Sequence, residues 1–259
     1  MKSASNLGTK FAVERTHKLA HVSQQAQPSY RPGPTLTRGL WIIVGFLMLI
    51  GIAIITRRSL SILAPSPAPP RFPGAGDMDS GFEKHPVLTM IHIIPGLLFI
   101  LLGPLQFVRR LRTRYPRLHR WMGRVFVFSS LIIGVSALAM SAQMSIGGRI
   151  ETAATTFFGI VFLFDLTKAF LAIRQRRVAE HRRWMIRTFA IGLAVTTIRP
   201  IVGIFFATSR LTHLTPHDFF GPAFWIGFLL HWSAAELWIR YTGASLPVTP
   251  PRLVPLQPR

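Results

Sequence analysis

Apolar residues fall into six runs separated by polar or Arg-rich segments, with no sustained alternation of apolar and polar positions. The runs are Gly39–Thr56, Pro86–Val108, Val125–Ile146, Ala153–Ile173, Met185–Ala207 and Phe219–Trp238. Each approaches the ~20 residues that carry a helix, at ~1.5 Å per residue, across ~30 Å of hydrocarbon. Strands are disfavoured, because backbone in lipid must satisfy its own hydrogen bonds and a two-residue period is missing. The pattern predicts an all-α, polytopic membrane bundle of six transmembrane helices. Residues 1–38 read as a disordered basic tail, 39–56 as the first transmembrane helix and 57–84 as a Pro-rich linker. Residues 85–241 read as a five-helix membrane core, and 242–259 as a second Pro-rich tail.

Charge then orients the bundle. Of 30 Lys and Arg, the tail before the first run holds six, the loop Arg109–Arg124 seven, the loop Arg174–Arg187 six and the end from Arg240 three, so that 22 share one side. Six lie on the other side, and Lys168 and Arg199 fall within runs. Positive-inside bias predicts both termini and both Arg-rich loops in the cytoplasm, at the inner membrane. A net charge of +21 on a water-soluble chain would indicate nucleic acid, but here it sorts with topology, and no nucleic-acid partner is expected. Arg120, Arg124, Arg182, Arg183 and Arg187 are the expected contacts to anionic phospholipid. Cysteine is absent, which excludes disulfides, Fe–S clusters and thiol nucleophiles. Neither a phosphate-binding Gly loop nor a Gly-x-Ser-x-Gly elbow is present.

One phrase occurs twice. His119-Arg120-Trp121-Met122-Gly123-Arg124 before the third run matches His181-Arg182-Arg183-Trp184-Met185-Ile186-Arg187 before the fifth, with one residue inserted. Each follows an Arg-rich loop, so the helix pairs two–three and four–five read as parallel repeats that place His119 and His181 equivalently.

These residues, with His92, Gly103-Pro104-Leu105-Gln106-Phe107, Arg199 and an aromatic last run ending near Glu236, resemble the predicted-membrane-protein family of domain of unknown function 2306. The resemblance covers roughly His85 to Tyr241. It implies a Tyr where this chain has Phe126, and it carries a fold but no activity.

Ionisable groups in a membrane cost about 2.5–3.5 kcal/mol at mid-depth on insertion scales, so each requires a partner or a role. By helical rise, His92 lies roughly 9 Å below the outer surface, Arg199 roughly 12 Å, His231 roughly 13–18 Å and Asp165 roughly 18 Å, a spacing that suits one polar cluster. Asp165 and Lys168, three apart, read as a pair on one helix face, and Glu236 with Arg240 as another. His92 and His231 are candidate axial ligands of a haem b, with His119 and His181 as a second pair in the manner of two-haem b561-type cytochromes. A quinone or other redox partner goes with that reading. The competing classes are a small-solute or proton-coupled transporter built on the polar cluster Asp165, Lys168, Arg199 and Glu236, and an accessory subunit whose polar residues bind neighbouring helices.

Overall fold

The computed structural model describes residues 33–64 and 81–242. Within them the apolar runs form six long helices: α1 Pro34–Leu63, α2 Pro86–Phe107, α4 Pro116–Gln143, α5 Gly148–Arg174, α6 Val178–Thr212 and α7 Pro216–Tyr241, with a six-residue helix α3 Arg109–Arg114 between α2 and α4. No strand occurs among the described residues. Most of the N-terminal tail, the centre of the Pro-rich linker and the C-terminal tail lie outside the described residues. The first helix runs past its expected end at Thr56, because α1 continues to Leu63 and takes up the start of the segment read as linker.

Helix starts follow local chemistry. Proline opens α1, α2, α4 and α7, at a position where its fixed φ is pre-set for a helix and its missing N–H costs nothing. α7 adds a capping box in which the Asp218 carboxylate accepts from the Thr215 amide (2.9 Å) and hydroxyl (2.6 Å). Asp218 precedes the apolar run, and these two hydrogen bonds, the hydroxyl first, hold its carboxyl below the usual carboxylate range. α6 ends on His213 in the left-handed region (φ 57°).

Five of the six long helices are apolar enough to cross a membrane by length and composition. α7, 26 residues long, carries His217, Asp218, His231 and Glu236 and falls short of that composition, so five helices rather than six meet it, while the all-α polytopic bundle of six long helices is as expected. α7 packs against α6 and α5, α2 against α4, and α4 against α5. α1 lies on the outside against α2 and α6, and buries only Gly51 and Arg58. Bulky apolar side chains such as Ile42, Phe46, Ile94, Phe128, Ile160 and Leu237 point outward, as a lipid-facing surface requires.

The repeat has a structural counterpart. His119 and His181 are each the fourth residue of their helix, and each amide donates to the carbonyl of the residue before that helix, Tyr115 or Arg177.

Candidate functional site

An aromatic layer divides the bundle interior. Phe99 stacks on Phe126 (centroids 4.8 Å apart) and Phe189 (5.7 Å) and lies 6.0 Å from Phe162, while Phe107 meets Phe189 at 5.6 Å. Four of these rings are buried on α2, α4, α5 and α6. The rings fit because Gly103 leaves α2 bare against α6, where a Cβ would overlap the Phe189 ring. Phe126, at the position where the resemblance implies Tyr, is 1% exposed inside this stack and presents no hydroxyl.

On the side away from the Arg-rich loops lies a cavity of about 220 Å³ that all six long helices help to line. Its apolar wall includes Phe99, Phe158, Phe162, Phe224 and Phe228, and its polar groups include Arg58, His92, Glu151, Thr196 and Arg199. The ring of His92 is fixed: Nδ1 lies 2.9 Å from Ser136 Oγ, which itself donates to the Ile132 carbonyl at 2.6 Å. A Ser136 hydrogen given to the Ile132 or Ile133 carbonyl leaves Ser136 Oγ to accept from Nδ1–H. Arg199 is within electrostatic range of both His92 and Glu151. Glu151 Oε2 also accepts from the amides of Ile146 (2.8 Å) and Gly147 (2.6 Å), which ties the α4–α5 loop to the first turn of α5. From α1 comes Arg58, 7% exposed, with its guanidinium 4.0 Å above the Phe82 ring.

The single cluster expected from depth does not form. His92 and Arg199 meet at the cavity, whereas Asp165 lies on the Arg-rich side of the aromatic layer, in range of Arg187 and Glu236. His231 is not at the cavity wall; its Nε2 is 2.7 Å from Thr197 Oγ1, which joins α7 to the face of α6 that carries Thr197. His92 and His231 therefore use different neighbours and share no common space. Residue counts give each group's position along its helix, but rotation about the helix axis is not legible from them.

Two pairings also differ. Asp165 and Lys168 make no ion pair; Lys168 is exposed, and its Nζ lies 5.8 Å from the ring centroids of Phe164 and Trp184. Glu236 pairs with Arg187 rather than Arg240, accepting from Arg187 Nε and, at 3.0 Å, from a terminal guanidinium nitrogen. Arg187 is thereby turned inward, its guanidinium 4.7 Å over Trp184, and is removed from the lipid-facing set. Arg120, Arg124 and Arg182 are exposed and Arg183 half-buried at the Arg-rich end. There His181 Nδ1 bonds the Ala169 carbonyl at 2.8 Å, and His119 is close enough to His181 to interact electrostatically.

Sequence reasoning missed Glu151, Arg58 and the aromatic layer. An acidic residue in the first turn of an apolar helix, after a Gly-Gly pair, is nevertheless a readable loop-fastening signal for Glu151. Arg58 was counted with the linker. No group of three or more His, Asp or Glu side chains able to hold a metal ion occurs among the described residues.

A family model described as a predicted membrane protein of domain of unknown function 2306 matches residues 89–239. No curated protein and no solved structure matches the chain.

Proposed function

The chain belongs to the predicted-membrane-protein family of domain of unknown function 2306, and from its cavity we propose that it is a small-solute carrier for compact organic anions with an apolar or aromatic body. One observation carries this reading: a partly open cavity of about 220 Å³ sets Arg199 and His92 against phenylalanine walls. The Arg199 guanidinium holds an anionic head, and rings supply most of the contact area, which is the usual composition of a small-molecule site. α1 lies outside the family-matched segment yet supplies Gly51 and Arg58 to the wall, so this chain's selectivity depends partly on a helix that the matched segment lacks. In this reading α7 is the sixth crossing, so that both termini and the Arg-rich loops face the cytoplasm, with Arg120, Arg124 and Arg182 on anionic headgroups of the inner membrane.

Radiolabelled benzenesulfonate, a permanently charged aromatic anion, tests the proposal. Proteoliposomes containing the full chain should accumulate it faster than empty liposomes, and Arg199→Gln should lower the rate at least about tenfold, as expected when an anion loses its charge-assisted contact. Uptake no faster than in empty liposomes sinks the reading.

The electron-transfer reading has its own observation, that His119 lies within electrostatic range of His181. With Nδ1 of His181 held by a backbone carbonyl, its Nε2 is oriented as in histidines that ligate haem b. Reduced-minus-oxidised spectra of protein from haem-replete cells should then show b-type bands that His181→Ala abolishes. Colourless wild-type protein removes this alternative.

A further inference from the structure

A second group of charges sits on the Arg-rich side of the aromatic layer and takes no part in the cavity. Asp165 is 2% exposed, and its Oδ2 accepts no hydrogen bond among the described residues. The charged groups facing it from the helices packed on α5 are Arg187 of α6 and Glu236 of α7. Arg187 is already bidentate to Glu236. Other titratable groups at this end are otherwise engaged: Lys168, one turn along α5, lies over rings, and His181 of α6 spends Nδ1 on Ala169. α4 contributes His119, the fourth residue of its helix as His181 is of α6, within electrostatic range of His181.

Two carboxylates thus share one guanidinium, and that guanidinium is directed at Glu236. An acidic side chain in a low-dielectric interior has to be matched by positive charge, because an isolated buried carboxylate costs many kcal/mol. No third acidic or imidazole side chain gathers there, among the described residues, to hold a divalent ion. A monovalent cation on Oδ2 meets the requirement with one charge. We propose that Asp165 is a binding site for a monovalent cation, a proton or a sodium ion, reached from the Arg-rich end of the bundle. The aromatic layer of Phe99, Phe126, Phe162 and Phe189 stands between Asp165 and the cavity, and His181, held on the Ala169 carbonyl one turn along α5, lies on the Arg-rich side.

Dicyclohexylcarbodiimide, which attacks protonated carboxyl groups in apolar surroundings, provides the test on the purified full chain, with the modified residue located by peptide mass spectrometry. Asp165 should be the modified position, ahead of Glu236. A sodium site shows as protection, with labelling falling about tenfold at a sodium concentration ten times Kd while choline chloride has no effect. A proton site shows as labelling that ignores sodium and falls as pH rises. Absence of label at Asp165, or label indifferent to both sodium and pH, overturns the proposal. Asp165→Asn confirms the assignment by abolishing the label, and if that variant does not fold, mapping on the wild-type chain decides alone. Benzenesulfonate plays no part in the measurement, so failure here and failure of the carrier reading are separate results.

Discussion

Replacing Gly147 with alanine lowers the unfolding free energy by about 3 kcal/mol, at the upper end of what overpacking costs. Gly147 has an ordinary φ of −84°, so its backbone conformation suits any residue. The obstacle is space: a Cβ would lie 2.5 Å from the Gly221 amide nitrogen and 2.9 Å from Phe220 Cβ. These atoms belong to the backbone and first carbon of α7 and have no rotamer by which to move aside. The α4–α5 loop must lift off α7, and Glu151, which holds the Ile146 and Gly147 amides, shifts with it at the cavity wall. Gly148→Ala is the instructive comparison. Gly148 has a positive φ of 58°, but a Cβ there meets the Nε2 end of His217 at 2.8 Å, a flexible group that can swing away. Its cost is the left-handed strain of about 1–2 kcal/mol. Denaturant unfolding in mixed micelles should therefore rank Gly147→Ala as the more damaging; the reverse order means that the loop and α7 do not touch as described.

Arg187→Gln has the second large effect, about 2 kcal/mol. Removing the guanidinium leaves Glu236 and Asp165 facing each other without a shared cation. Breaking a fully buried pair costs roughly 3–5 kcal/mol, and the figure is reduced here because the Arg187 and Glu236 side chains are 19% and 28% exposed. The double variant Arg187→Gln/Glu236→Gln should recover much of the loss, since it removes both charges and retains groups of similar shape. Additive single effects in that four-member cycle show that the pair is not coupled.

The same pair shows where residue counting stopped. Arg187 stands in a run of arginines beside Trp184, a sequence context that fits an interfacial anchor, and Glu236 has Arg240 one helical turn away. Both readings used neighbours along the chain. The partner of Glu236 is 49 residues distant, and it is selected by the rotation of α6 that also points Thr197 at His231 and Arg199 into the cavity. His92 illustrates the intermediate case: its position along α2 was readable, and its bond to Ser136 on α4 was not.

The sequence by itself determined what depends on neighbours along the chain. Hydrophobic run length made the helices, proline placed four of their starts, Lys and Arg distribution predicted orientation, and a repeated phrase identified the equivalent His119 and His181. Only the tertiary structure decided which polar groups meet. A side chain's partner depends on axial rotation, tilt and the small residues that let helices approach, all of which are set by packing across the bundle. Gly103 admits the Phe189 ring, the ring layer separates Asp165 from Arg199, and one expected polar cluster becomes two sites on opposite sides of an aromatic wall.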